Sequence, residues 1–162
     1  MPHEVNSSGA NSREAHVSAD PRLYLRDEEL DRGVGLILAG ERALAAAAEP
    51  ARMSAGLSKS EMQALLAIRY RPGLSVGGLR ERLAATVPTL ARILGHLDER
   101  GLIERPRGGQ DRRQRQLTLS PAGEALTAPI ALAMRERLKQ AYREAGPDQV
   151  AGARRLLEAL RE

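Results

Sequence analysis

The chain has no cysteine, no phenylalanine and no tryptophan among its 162 residues, and three tyrosines make up its whole aromatic content. Without cysteine there is no disulfide framework and no thiol redox switch. Without large rings the core has to be aliphatic and rich in alanine, which suits close helix–helix packing better than a β-sandwich. No apolar run approaches the ~18 residues that span a bilayer. The start of the chain also lacks the apolar segment of a secretory signal, so a cytoplasmic protein with no membrane partner is expected. Histidine is scarce: His3, His16 and His96 stand apart, which is not the spacing of metal ligands. The segment GVGLILAG is glycine-spaced, but it falls in a helical stretch with no preceding strand, and no nucleophile–base set accompanies it. No cofactor is expected, nor an enzyme.

What is present is a length suited to one domain with helical extensions, a hydrophobic content of 42% and a net charge of +4. The most informative stretch runs from Ser75 to Leu119. Within it Leu90, Ile93, Leu94 and Leu97 recur at i, i+3, i+4 and i+7, which predicts a helix from Val87 to about Glu99 with one buried face. Thr86 is its N-cap, Pro88 is tolerated in its first turn, and Gly101 ends it. The opposite face carries Pro88, Arg92, Gly95 and Glu99, flanked by Thr89, Ala91 and His96. Small and polar residues around one arginine suit a helix entering a groove about 12 Å wide. A shorter helix from about Ser75 to Ala84 precedes it, burying Val76, Leu79 and Leu83. Its glycines Gly77 and Gly78 each cost ~1 kcal/mol relative to alanine, so tertiary packing must hold it.

After Gly101 the period changes. Leu102 to Arg105 and Gln116 to Leu119 read as two strands, joined by a turn at Pro106, Gly108 and Gly109. Six arginines lie between Arg100 and Arg115 against two acids, Glu104 and Asp111, an excess equal to the net charge of the whole molecule. The predicted fold is therefore mainly α with a small β-hairpin wing: a winged helix-turn-helix with an N- and C-terminal helical dimerisation region.

The flanks fit that plan. Residues 1–22 are polar and aperiodic and are expected to be a disordered tail. Residues 23–56 hold a helix from about Asp27 to Glu49, with Pro50 stopping it and Leu30, Val34, Ile37, Leu38, Leu44, Ala45 and Ala48 along one stripe. The reading domain spans 57–119. It opens on a capping-box pair, Ser58 and Glu61, before a helix from Ser60 to about Tyr70 with Met62, Leu65 and Leu66 inward. Residues 120–162 give two further helices. Ser120 and Pro121 open the first, Pro129 is expected to kink it, and Leu126, Ile130, Ala133, Met134, Leu138 and Ala141 form its stripe. After Gly146 and Pro147, a helix from about Asp148 to Leu160 aligns Val150, Ala153, Leu157 and Leu160. Terminal helices with this much apolar surface predict a homodimer; the alternative is a monomer whose terminal helices fold back on the centre.

The order of "LSKSEMQALLAI", "RPGLSVGGLRERL", "TVPTLARILGHLDERGLIER", "DRR" and "LSPAG" resembles the MarR (multiple antibiotic resistance regulator) family of transcription factors, over about two thirds of the chain. The resemblance implies double-stranded DNA as partner, with the segment matching Thr86 to Leu97 in the major groove and the residues matching Asp111 and Arg113 in the wing. It also implies a small-molecule effector, with a ligand-independent regulator as the alternative, while the absence of cysteine removes the family's thiol-based oxidant sensing. The candidate DNA-binding residues are Thr86, Pro88, Thr89, Arg92 and His96 on the helix and Arg107, Asp111, Arg112, Arg113 and Arg115 on the wing. Arg92 can pair with O6 and N7 of guanine or contact a phosphate. Pro88 and Thr89 can meet a thymine methyl or a phosphate. Arg112 and Arg113 can enter a narrow minor groove, with Asp111 holding one of them by a charge-assisted bond; which of the two reaches the groove is left open. The competing reading is a winged-helix module that binds protein rather than DNA, against which the concentrated positive loop argues.

Overall fold

The computed structural model of the chain describes residues 24–104 and 116–160. The chain divides into two units, one ending at Ala39 and one running from Gly40 to Glu162. In the first unit the helix α1 (Asp27–Ser54) begins on Asp27, Glu28 and Glu29, acids that complement the positive end of the helix dipole. Leu30, Val34, Ile37 and Leu38 of that segment are all exposed.

In the second unit α1 runs through Pro50 to Ser54, past the stop predicted at Glu49. Proline removes one intrahelical hydrogen bond, but the surroundings restore the last turns. Ala48 is fully buried, Ala51 and Ala55 pack on the core, and Arg52 forks onto Glu49 at 2.6 and 2.8 Å while donating to the Leu57 carbonyl. The residue that stops the helix is Gly56, at φ +61°, where Leu57 N–H reaches back to the Arg52 carbonyl at 3.2 Å.

The helix α2 (Lys59–Tyr70) starts on the expected capping box: the Glu61 amide donates to Ser58 Oγ at 3.2 Å, and the Ser58 amide donates to Glu61 Oε2 at 2.7 Å. It buries Met62, Leu65 and Leu66 as predicted, together with Ala64, Ala67 and Ile68. A two-residue strand, β1 (Leu74–Ser75), follows a turn at Gly73, whose φ is +82°. Then come α3 (Val76–Arg82), α4 (Val87–Glu99), β2 (Ile103–Glu104), β3 (Gln116–Leu119), α5 (Pro121–Ala145) and α6 (Pro147–Ala159).

Two expectations are corrected by these bounds. Ser75 is the N-cap of α3 rather than part of it, accepting from the Gly78 amide at 3.0 Å. The hairpin is also joined by β1, giving an antiparallel sheet of order β1-β3-β2. Its register pairs Leu74 with Leu117 and Ile103 with Leu119. The corner between α3 and α4 turns at Ala84, the one non-glycine residue with positive φ (+47°) among the described residues. That conformation costs an alanine ~1 kcal/mol, and it is held by bonds from the Ala84 and Ala85 amides to Glu81 and Arg80.

The core is aliphatic: Leu65, Ile68, Leu79, Leu97, Leu117 and Ile130 bring α2, α3, α4, β3 and α5 together with almost no exposed surface, and each such side chain contributes ~2 kcal/mol on burial. At the start of α5, Ser120 caps Gly123 N–H at 3.0 Å, donates to the Gly101 carbonyl at 2.6 Å, and sends its amide to the Leu102 carbonyl at 3.1 Å. A Cβ on Gly123 would lie 2.0 Å from that carbonyl oxygen. Arg69 reaches across from α2 to Thr127 Oγ1 at 2.9 Å and to the Glu124 carboxylate. Pro129 lies within α5, which continues on both sides of it.

Gly123→Ala is expected to lower unfolding stability by ~3 kcal/mol, since backbone meets backbone and no rotamer relieves the overlap. Gly95→Ala, where an added Cβ meets nothing within 4 Å, should cost nothing and gain up to ~1 kcal/mol of helix propensity; urea midpoints at one protein concentration compare the two. Glu61 is nearly buried, and its hydrogen bonds from Ser58, helped by the charges of Arg100 and His96, hold its carboxyl below the usual range against the opposing effect of burial. A depressed carboxylate stabilises the fold above the unfolded value of about 4.3 and loses that contribution as pH falls through the folded value. Glu61→Gln should therefore be less stable than the parent at pH 7, and thermal melts of the two should converge on acidification below about pH 4.

Candidate nucleic-acid interface

The sequence of α4 determines which side it presents. Leu90, Ile93, Leu94 and Leu97 are each no more than 4% exposed, so the faces opposite them turn outward. Pro88, Ala91, Arg92 and Glu99 are exposed and Gly95 half-buried. Thr86 caps the helix, its Oγ1 accepting from the Thr89 amide at 3.4 Å and lying 2.9 Å from Thr89 Oγ1. The two threonine hydroxyls thus form a pair at the leading end, which leaves one hydroxyl proton to point outward. Arg92 makes no hydrogen bond or ion pair among the described residues, so its fork is available to a partner.

Val87 was not among the predicted contacts. It is 63% exposed at the first position of α4, next to Pro88 and one turn before Ala91. Periodicity hides it, because Val87 stands three residues before Leu90 and seven before Leu94 and so continues the register of the buried leucines, yet it lies at the very start of α4 and is left uncovered. It gives the leading end an apolar contact of the kind a thymine methyl accepts.

Two basic groups behave differently from the expectation based on charge alone. His96 places Nδ1 3.6 Å from Glu61 Oε1 of α2, with its ring half exposed. Arg100, counted among the six arginines of the basic stretch, donates to the carbonyls of Ala55 and Gly56 at 2.9 and 3.2 Å. It ties the end of α4 to the end of α1 while remaining exposed. The wing candidates Arg107, Asp111, Arg112, Arg113 and Arg115 lie outside the described residues. The strands on either side of segment 105–115 are described: β2 and β3 pair antiparallel, Glu104 opposite Thr118.

Among the described residues no group of three or more His, Cys, Asp or Glu is placed to hold a metal, and no helix is long and apolar enough to cross a membrane.

Comparison with known proteins agrees with this geometry. Residues 55–114 match the model of the MarR family. The chain is 35% identical over 138 residues to the HTH-type transcriptional regulator PetP of Rhodobacter capsulatus, covering 85% of this chain and 83% of PetP. Among solved structures, a MarR-family transcriptional regulator from Silicibacter pomeroyi is similar with a TM-score of 0.65 at 25% identity, covering 77% of this chain and 84% of that one. A structure of NadR in complex with 4-hydroxyphenylacetate is similar in fold with a TM-score of 0.68 at 22% identity, covering 99% of this chain and 97% of NadR. With a relative this similar over most of both chains, and with the winged helix-turn-helix described above, the chain belongs to the MarR family of transcriptional regulators.

Proposed function

We propose that the protein acts in the cytoplasm as a homodimer on double-stranded DNA, reading a pseudo-palindromic operator with α4 in the major groove and the 105–115 wing in the adjacent minor groove. The observation that carries this reading is the outward side of α4, small and exposed around an Arg92 that has no partner among the described residues. In this reading residues 57–119 form the DNA-binding domain, and residues 23–56 and 120–162 form the dimerisation region. Support for a dimer comes from the terminal helices. Leu36 of α1 is 67% exposed, and Leu156, Leu157 and Leu160 at the end of α6 are 58, 54 and 62% exposed; surface of this kind marks an interaction site. Two copies related by a two-fold axis would set half-sites roughly 34–36 Å apart. A small organic effector is part of the same reading, and its support is the NadR neighbour, which holds 4-hydroxyphenylacetate.

Gel shifts against a selected operator and a random duplex at two salt concentrations test the proposal; absence of binding to either at low salt would favour a protein-binding module. Arg92→Ala is expected to cost about 1–3 kcal/mol of discrimination at one base position. The double variant Arg112→Ala/Arg113→Ala should instead weaken binding to every sequence alike and flatten its salt dependence. Leu157→Glu is expected to shift sedimentation from dimer toward monomer and to reduce operator affinity with it, while the cooperative melt of the reading domain remains.

A further inference from the structure

A cleft of about 620 Å³ opens at the root of the wing, between α3 and β3, lined by Arg71, Ser75, Gly78, Glu81, Arg82 and Gln116 among others. Its chemistry is that of an anion site. Arg71 and Arg82 are exposed, and neither guanidinium has a hydrogen bond or ion pair among the described residues. Ser75 Oγ accepts from the Gly78 amide at 3.0 Å, so its own proton is free to be donated into the cleft. Gln116 lies across Gly73, its side-chain amide within 4.0 Å of where a Cβ would stand, and adds a neutral donor. Glycine at position 78 lets α3 approach β1 closely, because a Cβ there would sit 3.0 Å from Leu74 Cδ1 and 3.3 Å from Ser75 Oγ. One carboxylate, Glu81, opposes the two arginines.

The position of the cleft indicates the ligand. The helix α4 follows α3 after the corner at Leu83–Thr86, and β3 is the return strand of the wing. A duplex with α4 in one groove and the wing in the next carries a sugar–phosphate strand between the two grooves, and the cleft lies between α3, which leads into α4, and β3, which follows the wing segment. We infer that this cleft binds the DNA backbone, with Arg71 and Arg82 as phosphate contacts and Glu81 as a like-charged group that limits their strength. The inference rests on the DNA-binding reading above, and it assigns a third contact that neither the reading helix nor the wing tip supplies.

Fluorescence anisotropy of the full chain on a random-sequence duplex, titrated at several potassium chloride concentrations, tests it. Each arginine removed is expected to lower the slope of log affinity against log salt by about 0.9, so Arg71→Ala/Arg82→Ala should lower it by about 1.8. Sequence preference should stay that of the parent. Glu81→Gln should tighten binding severalfold on any sequence, an effect opposite in sign that loss of structure cannot mimic; if the double variant fails to fold, this variant decides alone. A folded double variant with the parental slope, or a Glu81→Gln variant of unchanged affinity, would overturn the inference while leaving parental DNA binding intact. A parent protein that binds no duplex would overturn the DNA reading itself, and the cleft assignment with it.

Discussion

The Leu102 carbonyl is the point on which the second unit depends. It leaves the exit of α4, accepts the amide of Ser120, and lies so close over Gly123 that no other residue type fits beneath it. Ser120 meanwhile bonds the Gly101 carbonyl with its hydroxyl and caps α5 with the same oxygen. A turn, a strand and the first turn of a long helix are thereby joined within a few ångströms. The strands β2 and β3 both adjoin this junction, so the exit of α4, the short sheet and the start of α5 are joined by backbone contacts and not by side chains that could choose other rotamers.

The arginines divide into two populations whose roles charge counting does not separate. Arg52, Arg69 and Arg100 are bonded to carbonyls and carboxylates of the chain itself, closing the end of α1, fastening α2 to α5, and fastening α4 to α1. Arg71, Arg82 and Arg92 have no such partner among the described residues. Hydrogen bonds to a charged donor contribute more than neutral ones, so the first group works as structure. The second group is the one left free for the proposed DNA contacts.

Much of this was legible in the sequence because the signals are local. The caps at Ser58, Thr86 and Ser120 and the leucine register of α4 involve residues within one or two turns of each other, and the structure has them where the pattern puts them. What was not legible depends on contacts distant in sequence. Pro50 reads as a stop, yet Ala48 and Ala51 pack on a core assembled from residues far along the chain. The strand β1 is two residues long, too short for alternation to show, and exists because Leu117 offers its carbonyl to Gly73. The direction of Arg100 depends on carbonyls 44 and 45 residues earlier. For the interface, the face of α4 was legible from periodicity, while the cleft at Arg71 and Arg82 needs the fold to bring α3 beside β3.

The Arg100 tether makes the two ends of α4 unequal. At its tail, one guanidinium grips two carbonyls where α1 finishes; at its head, Thr86 caps the first turn while Val87 and Pro88 stay exposed ahead of the buried Leu90. A tilt of α4 about the Arg100 anchor would therefore carry Val87 and Pro88 through the widest arc and Arg92, midway along the helix, through a smaller one.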